Sequence, residues 1–249
     1  MSEQKNKVFV GSGAGTALLT GEKCTPNTVH WTYDTYAYGR GLGKAVVAQG
    51  GKKWFFLTAD YAFGHDLEKQ AAEGVKASGG EVLGAVRHPL GTADYASFLL
   101  QAQASGADIV GVANAGDDTI TSIKQAAEFG LTRKQKLVGL ILGMNGKMPS
   151  ANQAGVYAST LAYLNAVAAT GSDAAQDVVP QMKKFKGRDK LFGDVTIRQD
   201  GRVIHPMYLF EVKKPEESKY PYDYYKLVST IPAEQAFRPL ADGGCSLVK

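Results

Sequence analysis

The sequence has few cysteines, no long apolar run and little net charge. Its 249 residues include two cysteines, Cys24 and Cys245, which is too few for a disulfide scaffold, and the sequence leaves open whether they pair. Apolar runs such as Trp54–Leu57 and Leu137–Leu142 fall far short of the ~20 residues of a membrane-spanning helix. The net charge of +4 comes from 28 basic and 24 acidic residues of interspersed sign, which argues against binding to nucleic acid or to a membrane surface.

Catalytic and cofactor motifs are also missing. The turn that contains Gly11 and Gly13 fails the dinucleotide-binding pattern, because Thr16 or Leu18 stands where the third glycine is required, and no phosphate-binding loop or serine nucleophile elbow is present. The four histidines are too far apart for a local metal-binding motif: His30, His65, His88 and His205. We therefore predict no catalytic residue, no metal site and no cofactor, and a nicotinamide-dependent oxidoreductase is the less favoured alternative.

Strand-like and helix-like segments alternate through most of the chain. Apolar and β-branched runs alternate with segments of helical spacing at Lys53–Ala59, Glu81–Val86, Asp108–Ala113 and Leu137–Leu142. This alternation predicts an α/β fold whose mostly parallel sheet is covered on both faces. After Ser150 the pattern changes to a long helix, a second helix and a β-hairpin with a tight turn at Asp200 and Gly201.

Polar and aromatic residues follow three of the predicted strands, in the segments Ser12–Thr16, Tyr61–Phe63 and Asn114–Asp117. Ligands of open α/β sheets bind beyond the carboxyl ends of the strands, and the main-chain N–H groups of a small-residue turn can face an anion. No acid–base pair accompanies these segments, so they predict a small-molecule site rather than a catalytic one. The alternative is that they are ordinary core and turn residues.

Seven segments together resemble a known protein family over residues 7–215. The segments are Val8–Gly15, Trp31–Ala37, Phe56–Gly64, Ala107–Gly116, Lys124–Gly130, Asn152–Tyr157 and Phe192–Gly201. In order and spacing they resemble the extracellular solute-binding proteins of branched-chain-amino-acid-type ABC transporters, which are leucine-binding-protein-like periplasmic binding proteins of type I. The branch most similar to this sequence is the one associated with aromatic carboxylates.

The resemblance implies two α/β lobes with mostly parallel sheets that clamp a small carboxylate between them. It assigns residues 1–27 to a remnant of lobe one and residues 28–142 to lobe two. Residues 143–249 return to lobe one and add the hairpin and a C-terminal tail. It also implies a non-catalytic protein of the periplasm that delivers its ligand to ABC transporter permease subunits.

The same resemblance assigns roles to the residues at the strand exits. The loop that matches Ser12, Gly13 and Ala14 holds the ligand carboxylate through main-chain and hydroxyl donors. An aromatic residue at the position of Phe63 covers the ligand, with Tyr61 and Tyr33 as further aromatic candidates. The opposite wall is lined by the loop residues Asn114, Ala115, Gly116 and Asp117.

The sequence departs from the family pattern at two places. It shows no signal-peptide pattern and begins where the first half of lobe one is ending, and a second gap falls near Leu142–Met144. We therefore expect an N-terminally truncated, internally deleted relative with an incomplete lobe one. Its exposed apolar edge and helix face would allow self-association. A degenerate fragment that binds no ligand is the alternative to a working binding protein.

Overall fold

The computed structural model describes residues 1–140, 150–189 and 191–248, and two units are found in it. The first unit consists of the described residues of Met1–Asp34 and Met144–Lys249, and the second of those of Thr35–Gly143. The boundary predicted at residue 28 is therefore wrong, because the strand Thr28–His30 pairs with Phe9–Gly11 and so belongs to the first unit. The predicted gap near Leu142–Met144 and the end of the strand predicted over Leu137–Leu142 lie outside the described residues.

The strands follow in chain order as β1 Phe9–Gly11, β2 Thr28–His30, β3 Lys53–Ala59, β4 Glu81–His88, β5 Ile109–Ala113, β6 Lys136–Gly139, β7 Lys186–Asp189, β8 Gly193–Ile197, β9 Val203–Ile204, β10 Met207–Val212 and β11 Tyr225–Ile231. The α-helices are α1 Gly41–Ala48, α2 Ala62–Ala77, α3 Ala96–Ala104, α4 Asp117–Glu128, α5 Ala151–Thr170, α6 Ala175–Lys183 and α7 Ala233–Ala236. A π-helical turn, Tyr36–Arg40, leads into α1. No helix in the described part of the chain is long and apolar enough to span a membrane.

The second unit contains a four-stranded parallel sheet in the order β4–β3–β5–β6. Its central strands β3 and β5 are buried along almost their whole length, as expected for strands with neighbours on both sides and helices on both faces. Phe55, Leu57, Leu99 and Val110 belong to one of its apolar clusters. The predicted α/β fold with parallel strands is confirmed.

The first unit combines a short parallel pair with antiparallel strands. Strand β1 pairs in parallel with β2, β7–β8–β9 form an antiparallel sheet, and β10 pairs with β11. Helices α5 and α6 pack on this part of the chain through a core that includes Val29, Trp31, Ala158, Val178 and Ile197. The strand predicted after the turn at Asp200 and Gly201 is divided in the structure. Its first part, β9, ends before His205 and Pro206, and its second part, β10, pairs with β11.

A disulfide joins Cys24 to Cys245, with their Cα atoms 5.6 Å apart, and so answers the question of pairing that the sequence left open. It fastens the C-terminal tail to the residues that follow β1. Arg238 reinforces the attachment by donating a hydrogen bond from Nη2 to the Ala17 carbonyl at 3.0 Å. The tail is therefore held against the first unit by both a covalent bond and a polar contact.

Candidate ligand-binding site

The loop Ser12–Ala14 begins where β1 ends, and its carbonyl groups are tied to the residues that follow β2. Thr32 Oγ1 donates a hydrogen bond to the Ser12 carbonyl at 2.6 Å. His30 Nε2 lies 2.6 Å from the Ala14 carbonyl, which can only accept, so Nε2 carries the proton of the imidazole. Two carbonyl groups of the loop are thus satisfied from inside the first unit.

His30 makes this contact as a neutral ring. Burial lowers the pKa of His30 to about 4, and the nearby Arg202 guanidinium contributes to the shift. The imidazole is therefore uncharged at neutral pH and adds no net positive charge to the loop. What remains on the loop for an anion is the main chain itself and the Ser12 hydroxyl.

Helix α5 supports the loop from one side. The Ser12 and Ser159 hydroxyl oxygens lie 3.2 Å apart within hydrogen-bonding distance. One turn earlier, Gly155 lets the helix approach closely, because a Cβ atom there would overlap Thr32 Cγ2. Since Gly155 and Ser159 are four residues apart, they share the helix face that contacts the loop.

The N–H groups of the loop point to a different use. Among the described residues, no acceptor receives a hydrogen bond from the N–H of Gly13 or Ala14. Gly13 is exposed, and a Cβ atom placed on it would meet no atom within 4 Å. Loop 12–14 therefore combines fixed carbonyl groups with two open main-chain donors, an arrangement that suits an anionic oxygen.

The segment Trp31–Asp34, which leads out of the first unit, is anchored by a buried charged pair. Arg202, 1% exposed, donates from Nη2 to the Thr32 carbonyl, and its Nε lies 3.6 Å from Asp34 Oδ2. The guanidinium carbon also lies 4.3 Å from the centre of the Phe237 ring. Tyr33, a predicted site residue, is half-buried within this anchored segment.

His205 completes the anchor of the same segment. Its Nε2 lies 3.1 Å from the Thr32 carbonyl, and its Nδ1 lies 3.0 Å from the carbonyl of Pro206. Burial lowers the pKa of His205, so the ring is neutral and only one of the two nitrogens donates at a time. The sequence analysis assigned no role to Thr32, Gly155, Ser159, Arg202 or His205. The sequence signal for a close approach of α5 to the loop is the pair of small residues Gly155 and Ser159, four positions apart on the helix.

In the second unit, Tyr61 and Phe63 stand at the carboxyl end of β3. Tyr61 precedes α2 and Phe63 lies in its first turn; both are half-buried, and their ring centres are 5.9 Å apart. The turn is tight because Gly64 packs on the Ala59 carbonyl, which a Cβ atom would overlap. The two predicted aromatic residues are therefore neighbours that form one ring pair.

The loop Asn114–Asp117 lies at the same edge of the sheet, because Thr58 at the end of β3 pairs with Ala113 at the end of β5. Within the second unit, the structure thus brings the aromatic pair and this loop to the same side. Ala115 is half-buried, whereas Gly116 and Asp117 are exposed. Asp117 is the first residue of α4, so its carboxylate is placed at a positive helix end.

Asn114 does not act as the sequence analysis expected. Its Oδ1 accepts a hydrogen bond from Thr119 Oγ1 at 2.7 Å, and its Nδ2 lies 3.3 Å from both Ser122 Oγ and His88 Nε2. The side chain is fully buried and engaged with other residues of the second unit. The side chain of Asn114 therefore positions the loop, and the contact of residues 114–117 with a ligand stays a prediction.

The described residues contain no group of three or more His, Cys, Asp or Glu side chains that could hold a metal ion. His65 pairs with Asp60 at 2.8 Å near the protein surface. His88 is buried beside Tyr95, with ring centres 4.9 Å apart. These two side chains, like His30 and His205, take part in packing and hydrogen bonding.

Comparison with known proteins gives consistent matches. The model of the family described as "Periplasmic binding protein" matches residues 1–146 and 142–219. A periplasmic binding protein from Burkholderia mallei is 49% identical, with a TM-score of 0.91 over 100% of this chain and 76% of its own. A branched-chain amino acid ABC transporter periplasmic ligand-binding protein from Burkholderia xenovorans is 33% identical, with a TM-score of 0.90 over 100% of this chain and 77% of its own.

A curated relative matches a shorter part of the chain. Leu/Ile/Val-binding protein homolog 4 from Brucella abortus is 25% identical over 138 residues, which are 52% of this chain and 32% of the relative. The match thus spans about a third of the curated relative. The B. mallei structure likewise contains a further quarter of chain that has no counterpart in these residues.

Proposed function

The chain belongs to the periplasmic binding protein family, and on this basis we propose that it binds a small carboxylate for uptake by an ABC transporter. The resemblance to the branched-chain-amino-acid type of these proteins is confirmed by the family model and by the Burkholderia structures. Delivery to permease subunits is part of the proposal. The matched relatives are longer than the stretch they share with this chain, so for this chain their activity is part of the proposal.

The observation that carries the proposal is the pair of open N–H groups at Gly13 and Ala14. Main-chain donors fixed in a loop bind a carboxylate without the entropy cost of ordering side chains. The loop is held by Thr32, His30 and Ser159, so its donors are set in place before a ligand arrives. Each charge-assisted hydrogen bond of this kind contributes about 1.5–3 kcal/mol.

The second unit contains the other predicted site residues except Tyr33. Tyr61 and Phe63 offer ring faces, and Gly116 is exposed in the loop at the same edge of the sheet. Tyr33, within the anchored segment Trp31–Asp34, is a further aromatic candidate.

The two candidate ligand classes differ in whether they need the carboxylate of Asp117. An aromatic acid needs an anion site and ring contacts, and the predicted site residues include candidates for each. A branched-chain amino acid also needs a carboxylate for its α-ammonium group, and among the predicted site residues Asp117 has the exposed carboxylate. Asp117→Asn should weaken binding of a branched-chain amino acid and leave binding of a benzoate-like acid unchanged.

The proposal also includes that the protein binds its ligand without catalysis and that it resides in an oxidising compartment. The candidate residues include no acid–base pair, so the ligand should be recovered unchanged after incubation with the protein. The disulfide between Cys24 and Cys245 is of the kind that persists in the periplasm and is rare in the cytosol. Alkylation of periplasmic and cytosolic extracts would show where the oxidised protein resides.

Calorimetry against a panel of benzoate-like acids and branched-chain amino acids tests the proposal. For a panel member that binds, Gly13→Pro should weaken affinity roughly 10- to 100-fold, because proline removes one N–H donor. Gly13→Ala is the matched control: it keeps the N–H, and its Cβ would meet open space. Binding of no panel member by monodisperse protein would contradict the proposal and favour the fragment without ligand binding.

A further inference from the structure

A buried histidine contacts the residue at which the loop Asn114–Asp117, here called loop 114–117, begins. His88 is the last residue of β4 and is fully buried, and its Nε2 lies 3.3 Å from Asn114 Nδ2. Asn114 follows β5 and is fully buried as well. Because β3 lies between β4 and β5 in the sheet, this contact connects the ends of two strands that are not neighbours.

The neighbours of His88 determine which ring nitrogen carries the proton. Nδ1 lies 2.9 Å from the Pro89 carbonyl, which can only accept a hydrogen bond, so Nδ1 is protonated. Nε2 of the neutral ring is then an acceptor, and Asn114 Nδ2 is the donor that matches it. The Tyr95 hydroxyl, 3.4 Å from Nδ1, does not donate to the ring, because it donates to Asp118 Oδ1 at 3.1 Å.

The other contacts of Asn114 agree with this direction of its amide. Oδ1 accepts a hydrogen bond from Thr119 Oγ1 at 2.7 Å, and Nδ2 lies 3.3 Å from Ser122 Oγ. Ser122 Oγ donates to the Thr119 carbonyl at 3.1 Å, so towards Asn114 it accepts. Rotation of the amide by a half-turn would set its oxygen against the unprotonated Nε2 of His88, acceptor against acceptor.

His88 differs from the other two partners of Asn114 in the element that carries it. Thr119 and Ser122 lie on α4, the helix that loop 114–117 enters, so they hold Asn114 relative to the loop's own helix. His88 lies on β4, and its hydrogen bond ties the amide to the sheet. Of these three contacts, the one with His88 therefore fixes the loop relative to the strands.

We propose that His88, protonated at Nδ1, is a positioning residue for loop 114–117 and acts through the Asn114 amide. Loss of the Nε2 acceptor would leave a buried amide hydrogen of Asn114 without its partner, an arrangement that proteins avoid, and the loop would leave its present position. The inference deepens the proposed function and rests on it where a ligand is concerned. His88 is fully buried, so its effect on a ligand passes through the loop.

Long-range ¹H–¹⁵N spectra of the ligand-free chain test the protonation of the ring. The ¹⁵N shift of an imidazole nitrogen differs between its protonated and unprotonated forms, and His88→Gln assigns the signals by removing them. We expect His88 to be protonated at Nδ1 and unprotonated at Nε2. His30, which carries its proton at Nε2, should show the opposite pattern in the same spectrum. A proton on Nε2 of His88, with or without one on Nδ1, would overturn the proposal.

Two substitutions separate positioning from packing. His88→Gln keeps an acceptor for Asn114, because the glutamine amide oxygen is as many bonds from Cβ as Nε2 is. His88→Leu keeps apolar packing against the Tyr95 ring but has no acceptor. In ligand-free spectra, we expect the amide signals of loop 114–117 to move in His88→Leu and to stay near their wild-type positions in His88→Gln. Equal shifts in the two variants, or unmoved signals in His88→Leu, would show that His88 only fills space.

Calorimetry with a benzoate-like or branched-chain acid that binds the wild-type chain measures the consequence for a ligand. His88→Leu should weaken affinity roughly 2- to 10-fold, the range expected for one lost hydrogen bond, and His88→Gln should restore it. Unchanged affinity in His88→Leu would overturn the role of His88 in binding. If no panel acid binds the wild-type chain, the proposed function fails, and the two sets of ligand-free spectra still decide whether His88 positions the loop. The protonation measurement needs no variant with leucine, so it can contradict the proposal even if His88→Leu does not fold.

Discussion

The strand-exit loops of the two units are supported in opposite ways. In the first unit, Thr32 and His30 bind the carbonyl groups of loop 12–14 and leave its N–H groups open. In the second unit, the side chain of Asn114 turns inward and holds its own loop from beneath. In both units buried polar side chains hold the loop, but in the first unit they come from the exit of the neighbouring strand, and in the second unit the loop's own Asn114 provides one.

The units also differ in their ion pairs, and the largest predicted effect comes from this difference. Arg202→Met should lower the free energy of unfolding by about 3–5 kcal/mol, because it leaves Asp34 buried without its counterion. Arg87→Met in the second unit removes an exposed partner of Glu68 and should cost at most about 1 kcal/mol. Denaturant unfolding of both variants measures the contrast, and equal losses would mean that the anchor of Trp31–Asp34 is not electrostatic.

The pH dependence of stability should include a contribution from buried His30. Burial, aided by Arg202, lowers the pKa of His30 to about 4, whereas a histidine in the unfolded chain titrates near pH 6.5. Between these values the unfolded state binds a proton that the folded state does not. Stability therefore falls as the pH drops through this window, by at most about 1.4 kcal/mol per pH unit for one group and about 3 kcal/mol in all.

Substitution separates the contribution of His30 from other titrating groups. His30→Gln retains a donor for the Ala14 carbonyl and should flatten the pH profile of stability between pH 6.5 and 4. Burial also lowers the pKa of His205, so a residual slope of the same sign should remain. His65→Gln changes an exposed ring and is the control. A His30→Gln profile as steep as that of the control would contradict the assignment.

The two glycines at the loop 12–14 site should respond unequally to a side chain. Gly155→Val places a side chain against Thr32 and should lower the free energy of unfolding by about 1–3 kcal/mol through overpacking. Gly13→Val enters open space and should leave stability nearly unchanged. Ala154→Val controls for the helix propensity of valine. Comparable effects at Gly155 and Ala154 would show that the close approach of α5 does not hold the loop.

The smallest expected effects compare two neighbours in the second unit. Asn114→Ala removes the partners of Thr119 and Ser122 and should cost about 1–2 kcal/mol of stability. Asp117→Ala, at an exposed position three residues later, should cost less, at most about 0.3–1 kcal/mol, because it removes only the favourable charge at the start of α4. Thermal unfolding measures both, and a larger loss at Asp117 would reverse the roles that the structure gives to these two residues.

Much of the fold was predictable from sequence because its strongest patterns are local. The limits of β3 agree with the predicted Lys53–Ala59, because a continuous apolar run leaves few alternatives, and α5 is the long helix predicted after Ser150. The pairing of Cys24 with Cys245 was not predictable, because 221 positions separate them. The separation of β10 from the predicted hairpin and its pairing with β11 also depend on contacts that no short window contains.

The sequence indicates candidate site residues but not the contacts that hold them. Within one sheet, parallel strands place their exits at one edge, which made Phe63 and Asn114–Asp117 candidates from the pattern alone. Ser12–Ala14 became a candidate because it follows β1 in the other sheet. The inward direction of the Asn114 side chain depends on Thr119, Ser122 and His88, whose positions follow from packing. Likewise, the pairing of Arg202 with Asp34 joins residues far apart in the chain, and no periodic pattern of the sequence predicts it.

Amide NMR spectra of the ¹⁵N-labelled chain test most directly whether open main-chain donors hold the carboxylate. On addition of a panel acid that binds, the account predicts marked downfield shifts of the Gly13 and Ala14 amide protons, as new hydrogen bonds to a charged oxygen form. The amide protons of Gly50 and Gly79, which lie at helix ends in the second unit, should stay in place. Saturating binding that leaves the Gly13 and Ala14 amide protons unmoved would contradict the account.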